Sequence, residues 1–596
     1  MIPTARPATG PRPGSRHVPR PLRMYSLLAD GERGALTGPD GDVVWLCLPG
    51  WDDPAVFAEL IGGAGAFGVR PEASWAVSGG SYAAGSLVWT QRWTLGPDAV
   101  VECREALAAP ADPHRAVLLR RIRAVRGPAR MVVRLAVSGG YGTEPAAGLR
   151  RTGEGMWEGT RGDLRVRLRG VPEARTGPDG ELTAVLEVPA GGVHDLVLEA
   201  ADRPLGPPVE PGAAWRRTEG FWAAAVPSCD GLTAARDVAQ AYAVLTGLTN
   251  PRTGAMVAAA TTSLPEHAGT DRDYDYRYAW LRDQCYAGQA LALHGPHPLT
   301  DASVRVAVER VLADGPKLRP AYRTDGSPVP AERRLPLCGY PGAADRTGND
   351  AGSQFQLDTF GEVLELLATA ARQDRLPADG HRAAAVAVAA LEENWDRPDA
   401  GLWELEPAWW THSRLAAVTG LRAAARELGG PDADRRSALA DTILAATRRR
   451  CLHPSGYWQR SATDAGPDAA LLRPLASPYW PAGDPASAAT LEAVARELGS
   501  DGFVYRFRQP GAEPGEAEGA FLLCGFMMAS ASLVQGRTVA AGRWFERSRT
   551  AAGSAGLFAE EYDVEQRQLR GNLPQAFVHA LLLEAAAGLD ATEKGR

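Results

Sequence analysis

The densest mixture of reactive side chains in the chain is Asp273-Tyr274-Asp275-Tyr276-Arg277-Tyr278-Ala279-Trp280-Leu281-Arg282-Asp283, which follows Thr261-Thr262-Ser263-Leu264-Pro265-Glu266. Three tyrosines, one tryptophan, two arginines and three aspartates stand together there. Rings that stack on a flat ligand, beside a charged pair that hydrogen-bonds hydroxyls, make a sugar site, because small-molecule pockets join an apolar wall to a few placed polar groups. The same residues would also make a buried salt-bridge cluster, and composition does not choose between the two.

Hydrolysis of a glycosidic bond usually takes two carboxyls on opposite faces of the sugar, one protonating the leaving oxygen and the other acting on water or carbon. The sequence holds 71 acidic residues, so it can only offer acids in unusual settings. Glu404 lies in Gly401-Leu402-Trp403-Glu404-Leu405-Glu406-Pro407, ahead of Trp409-Trp410-Thr411-His412-Ser413-Arg414. An acid between a tryptophan and a leucine is expected to have a raised pKa, which suits a general acid; a helix-leading surface acid is the plainer alternative. Glu560 lies in Leu557-Phe558-Ala559-Glu560-Glu561-Tyr562-Asp563, ahead of Gly571-Asn572-Leu573-Pro574-Gln575-Ala576-Phe577-Val578-His579. Adjacent acids diverge on any regular backbone, so at most one of Glu560 and Glu561 faces a given water. A solvated acidic cluster is the alternative there.

These stretches resemble the blocks of family 15 glycoside hydrolases, the glucoamylases, glucodextranases and bacterial trehalases, which release glucose from α-glucosides with inversion. T-T-S-L-P-E with D-Y-D-Y-R-Y-A-W-L-R-D looks like the family signature. Gly401–Glu404 with His412-Ser413-Arg414 is similar to its G-[IL]-W-E and H-S-[KR] motifs, where the acid after Trp donates the proton, which carries over to Glu404. The Glu560 block is similar to S-E-E-x-D … G-N-x-P-Q-A-F-x-H, whose first acid is the general base, which carries over to Glu560. Arg282 and Asp283 match the pair that holds the hydroxyls of the non-reducing glucose, and a guanidinium fork with a carboxylate suits vicinal hydroxyls. Trp280, Tyr276 and Trp403 are expected to line the same pocket. Arg506 and Glu518 fall in two further family-like blocks, with an ion pair as the equal alternative to a sugar contact. His412 either touches sugar, orients Glu404 or is a structural histidine. The block Cys338–Gly342 with Gly348-Asn349 and Gln354–Asp358 is expected to form a shaped loop and a helix start without a catalytic group.

The resemblance runs over nearly all of 25–590, with five blocks in order. It departs after Glu404. Many bacterial members continue there with an Arg-Gly-Gly-Pro-Arg-like loop, whereas this chain reads Leu405-Glu406-Pro407-Ala408-Trp409-Trp410. That loop belongs to the leaving-group side, so maltodextrin, trehalose and other α-glucosides all stay open. An α-glucosyl transferase or phosphorylase, or a non-catalytic glucan-binding protein on the same fold, are the competing readings.

Positioning such residues needs a large scaffold. From about Tyr25 to Ala201 the chain reads as β structure: Leu164, Val166 and Leu168 alternate with arginines, and 116–125, 131–137, 182–188 and 193–198 are further strand-like runs. Pro204, Pro207, Pro208 and Pro211 mark a linker over 204–230. Beyond it the period changes to that of helices, about eleven of them, with stripes at 278–294, 353–373, 380–394, 434–450, 486–498, 516–535, 538–550 and 574–588 and Leu415–Leu428 ended by Gly429-Gly430-Pro431. Thr233 is expected to cap the helix bearing Val238, Tyr242 and Leu245, and Thr300 or Asp301 the helix bearing Val304 and Val308. The expected domains are a disordered tail at 1–23, an antiparallel β-sandwich at 24–203, the linker and a helical catalytic domain at 231–592. The resemblance implies that the helical part is an (α/α)6 barrel.

The net charge of −7 does not suggest a nucleic acid partner, and no apolar run reaches the roughly 20 residues of a membrane span. Met1–Arg23 has no apolar signal region and no paired arginines. Seven scattered cysteines without a C-x-x-C pair point to reduced thiols, so a cytoplasmic protein is expected. No metal signature such as a His pair at i, i+4 is visible, and the chemistry calls for no cofactor. The expected partner is a small carbohydrate, and oligomeric state is not readable from the chain.

Overall fold

The computed structural model describes residues 18–481 and 483–594. Most of the segment expected as a tail, residues 1–17, lies outside the described residues. Ahead of residue 24 the chain is already packed: Leu22 is buried and Arg20 pairs with Asp40.

Sixteen strands between Ser26 and Ala201 form two antiparallel sheets of eight. The strand at Leu182–Val188 shows why the sequence pairs this way. Leu182, Ala184, Leu186 and Val188 are buried while Thr183, Val185 and Glu187 are exposed, the period-two pattern of a sheet with one wet face. At Leu164–Arg169 the alternation is broken by Arg167, which is buried because it reaches Glu158 and Glu199. The inner faces of both sheets share one apolar core with the helical part, which contributes Leu245, Phe526 and Leu582 among others.

Among the described residues thirteen α-helices follow: α1 (Pro211–Ala225), α2 (Ala235–Leu248), α3 (Leu281–Leu291), α4 (Pro298–Asp314), α5 (Asp358–Arg372), α6 (Gly380–Asn394), α7 (Thr411–Ala423), α8 (Ala433–Cys451), α9 (Leu472–Leu475), α10 (Pro485–Glu497), α11 (Leu522–Val534), α12 (Thr538–Arg549) and α13 (Ala576–Lys594). The first occupies the expected linker. Pro211 is its opening residue and Glu210 accepts hydrogen bonds from the amides of Gly212 and Ala213, so the proline starts a helix where it loses no hydrogen bond. Two expected caps are corrected. Thr233 is held by the Asp590 carboxylate, and α2 begins after Ala234 without a side-chain cap. The helix bearing Val304 and Val308, α4, starts earlier than expected, at Pro298, and His297 accepts the amide of Leu299.

Alternate helices make a closed ring of contacts: α3 on α5, α5 on α7, α7 on α9, α9 on α11, α11 on α13 and α13 on α3. α5 and α7 approach closely where Gly361 faces Gly420. A methyl at Gly420 would lie 2.3 Å from the Gly361 carbonyl, so only hydrogen fits. The helical and β parts are also joined by buried polar links. Trp45 Nε1 donates to Ala260 O over 2.8 Å. Arg277, fully buried, donates to the carbonyls of Trp51 and Asp53 and to the Tyr141 hydroxyl while gripping Asp275.

Candidate functional site

The first turns of α3 and α13, the residue leading into α11 and the loops before them converge on a cavity of about 240 Å³. Tyr274, Tyr276, Trp280, Trp403, Phe521 and Phe577 supply its rings, and Glu266, Arg272, Arg282, Asp283, Gln354, Glu404, Arg506, Glu560 and Gln575 its polar groups. The stretch 273–283 reaches it because its ends are fixed elsewhere. Asp275 and Arg277 turn into the protein and grip each other, leaving the alternate residue, Tyr276, to face the cavity. Trp280 then precedes α3, whose first turn presents Arg282 and Asp283.

Glu404 lies in the loop between α6 and α7 at φ +57°, a left-handed conformation rare for a residue with a side chain. Such conformations cost on the order of 1–3 kcal/mol and collect at functional positions. Gly401, at φ +65°, makes the preceding turn, and a methyl there would meet the Trp410 ring at 2.8 Å. Glu404 Oε1 accepts Trp280 Nε1 at 2.6 Å and Arg282 Nη2 at 3.3 Å. A ring N–H and a guanidinium thus meet one carboxyl oxygen of Glu404, beside Leu402 and Leu405 of its own loop in the cavity wall.

Glu560 faces the same cavity and is nearly fully buried. Its Oε1 accepts the Tyr276 hydroxyl at 3.0 Å and Gln575 Nε2 at 3.2 Å, while Oε2 has no hydrogen-bond partner among the described residues. Tyr276 and Trp280 meet edge to face with centroids 5.5 Å apart, so one aromatic pair holds both acids, Glu560 through its hydroxyl and Glu404 through its indole N–H. Carboxyl oxygens of Glu266, Glu560 and Glu561 lie within 4.8 Å of one another. Burial first, and then the Glu266 and Glu404 charges, push the Glu560 carboxyl well above its ordinary pKa, with the Tyr276 hydroxyl pulling back. Glu561 opens the strand Glu561–Asp563 and keeps a carboxyl oxygen close to that of Glu560. It accepts the Gly519 amide at 2.6 Å and does not line the cavity.

Arg282 bridges the walls: Nη1 donates to Gln356, Nη2 to Glu404, and Nε lies 3.5 Å from Asp283. Burial lifts Asp283 to about 6, with Arg282 opposing. Trp403 lines the cavity and donates Nε1 to Asp468 at 2.8 Å. Arg506 lines it too, stacked 5.7 Å from the Trp403 ring.

Two residues expected to touch sugar are not among those lining the cavity. Glu518 does not line the cavity; it lies behind, gripped by Arg506 at 2.7 Å and Arg272 at 3.0 Å, so the ion pair is its part. His412 does not line the cavity either. Its ring is buried with Nδ1 3.4 Å from Asp358 Oδ2. Sequence reasoning passed over Glu266, Arg272 and Gln575 as site residues. Glu266 and Gln575 stand inside the quoted motifs, which was the available signal. Arg272, which donates Nε to Glu266 at 2.9 Å, carried none.

Residues 237–587 match the family model described as glycosyl hydrolases family 15, and residues 15–192 the one described as trehalase-like, N-terminal. The chain is 30% identical to a trehalase of Mycobacterium tuberculosis over 95% of its own length and 89% of that protein. It is 28% identical to trehalase 1 of Sulfolobus acidocaldarius, over 95% of this chain and 98% of that one. Among solved structures, a bacterial glucoamylase complexed with acarbose superposes with a TM-score of 0.71 at 13% identity, covering 97% of this chain and 95% of the other. At that identity the likeness is one of fold.

Proposed function

We propose, from the premise that this chain belongs to the glycosyl hydrolases of family 15, that it is an inverting, exo-acting α-glucoside hydrolase whose preferred substrate is trehalose. It is a glycosidase of a small carbohydrate. The observation that carries the finer reading is the pair Glu404 and Glu560, presented to one cavity by the two members of the Tyr276–Trp280 ring pair. The ring of alternate helices is read as an (α/α)6 barrel, with the cavity at one rim.

In this reading the non-reducing glucose sits between Arg282, Asp283 and Trp280, and Glu404 gives its proton to the glycosidic oxygen as the C1–O bond breaks. Glu560 takes a proton from the water that attacks C1 from the opposite face. The base is strong because burial and Glu266 raise its proton affinity, and the Tyr276 hydroxyl and Gln575 amide hold Oε1 while Oε2 is left for water. Inverting enzymes need the carboxyls roughly 6.5–9.5 Å apart to admit that water. Trehalose is favoured by the relatives named trehalase, which align along nearly the whole chain. The Trp403–Leu405 wall would accept its second glucose in place of a longer chain. No helix among the described residues is long and apolar enough to cross a membrane, and all seven cysteines are unpaired. Both accord with action in the cytoplasm.

The test is glucose release from trehalose, maltose, isomaltose, maltoheptaose and starch by the wild type, Glu404→Gln and Glu560→Gln, with the first-formed anomer followed by NMR. The expected result is release from trehalose, one β-glucose formed per bond broken, and loss of roughly 10²–10⁴-fold in each variant, the range of a positioned acid or base. Rates rising with maltodextrin length would replace trehalose as the substrate. Retained α configuration at the attacked carbon, or full activity in either variant, would overturn the mechanism.

A further inference from the structure

Beneath the cavity, the first two turns of α5 and the first turn of α7 bring three side chains together that the proposed hydrolysis does not use. Asp358 and Glu362 stand one turn apart on one face of α5, and His412 faces them from α7. One carboxyl oxygen of each acid and one ring nitrogen of His412 lie within 4.8 Å of one another. All three residues are at least nine-tenths buried, with exposures of 0%, 3% and 4%.

Each acid has one oxygen engaged and one left over. Asp358 Oδ1 accepts the Thr359 amide at 3.2 Å and Glu362 Oε1 accepts the Tyr286 hydroxyl at 2.6 Å. Asp358 Oδ2, Glu362 Oε2 and both nitrogens of His412 have no hydrogen-bond partner among the described residues. Buried polar atoms are seldom left so, and here the unpartnered set converges from two helices that Gly361 and Gly420 hold backbone to backbone. Charge points the same way. The arginines around the cluster are committed elsewhere, Arg414 to Asp399, Arg473 to Glu584 and Arg282 to Glu404. A cavity of about 10 Å³ lined by Glu362, His412, Tyr286 and Arg473 adjoins the cluster, about the room one water takes.

We propose that Asp358, Glu362 and His412 bind one divalent transition-metal ion that ties the start of α5 to the start of α7 under the sugar cavity. Two carboxylate oxygens and one imidazole nitrogen, with space for a water, are the donor set of Zn²⁺ or Mn²⁺. The spacing of the acids along α5 is what a helix needs to offer two ligands to one ion, and the third comes from a facing helix, as in metal-binding helical bundles. A search for a His pair within one segment misses such a site. The ion would be structural, since none of its three ligands lines the cavity.

The full-length protein, purified without a metal-affinity step, is stripped with a chelator and titrated with ZnCl₂ and, separately, MnCl₂. Bound metal is measured by mass spectrometry and stability by thermal melting. The expected result is one ion per chain, a higher melting temperature on loading that the chelator reverses, and affinity weakened on the order of tenfold or more in Glu362→Gln. Failure of the wild type to retain either ion or to shift its melting overturns the proposal. So does one-to-one binding unchanged in a folded Glu362→Gln. If that variant does not fold, Co²⁺ loaded into the wild type decides. Visible bands of oxygen and nitrogen ligands support the site, and a sulfur-to-cobalt charge-transfer band places the ion at a cysteine and overturns it.

Discussion

Replacing Tyr276 by Phe removes a single oxygen from the structure that joins the two acids. That hydroxyl donates to Glu560 Oε1 over 3.0 Å, and the remaining donor to the same oxygen is Gln575 at 3.2 Å. The Glu560 carboxylate therefore keeps one of its two side-chain donors. A hydrogen bond to a charged group is worth about 1.5–3 kcal/mol, and 1.36 kcal/mol is one decade, so the ionised form is disfavoured by roughly ten- to a hundredfold. The sign follows from which form the hydroxyl favours. It donates to the anion, so its loss adds to the upward push already exerted by burial and by Glu266. A general base works only when ionised, so the acidic limb of kcat/KM against pH moves to higher pH. Below the limb, activity falls by the same ten- to hundredfold. Above it, little changes, because the ring still packs on Trp280. Glucose release from trehalose across the pH range measures this, with thermal melting to show that the fold is kept. An acidic limb that stays in place or moves to lower pH would refute the assignment of Glu560 as the titrating base.

Three further outcomes are expected. Arg277→Met should cost about 3–5 kcal/mol in denaturant unfolding, because it leaves Asp275 buried without its cation. Gly420→Ala should lower stability by roughly 1–3 kcal/mol, read as a drop in melting temperature, since the new methyl lies 2.3 Å from the Gly361 carbonyl. Burial lifts Asp345 from 3.8 to about 8, opposed by the Gly339 amide, so the folded state holds its proton more tightly than the unfolded chain. Its contribution is fully present below the ordinary value and is lost as pH rises to about 8. The stability of Asp345→Asn relative to wild type should therefore grow from about pH 4 to about pH 8 and then level off in pH-resolved unfolding; a flat difference would count against it.

Much of this architecture can be read from periodicity. The strand at 182–188 and the helix at 380–394 lie where their patterns put them, because each buries one face against a neighbour and the sequence must mark that face. What the chain hid depends on contacts between distant residues. Pro211 reads as linker because a proline at the head of a helix and a proline in a loop look alike. Thr233 reads as a cap because nothing local reveals that Asp590, at the far end of the chain, takes its hydroxyl. The candidate site divides in the same way. Glu404 and Glu560 could be singled out from the blocks around them, as could Tyr276 and Trp280. Whether an acid next to the site faces the cavity or its back wall is decided by the partners it meets there. Glu518 meets two arginines and His412 meets two carboxyls, and both turn away.

Arg277 carries a consequence for how this protein can be divided. Its guanidinium is planted among the Trp51 and Asp53 carbonyls and the Tyr141 hydroxyl of the β part, while Asp275 on its other side completes a clamp around Tyr276. The sheets are thus the foundation of the residue that touches Glu560. A helical part expressed alone, or joined to the sheets of a distant relative, would bring its acids intact but lose the anchor that aims the tyrosine between them. The two parts make one working unit, and the boundary between them is a line in the sequence that the site itself does not respect.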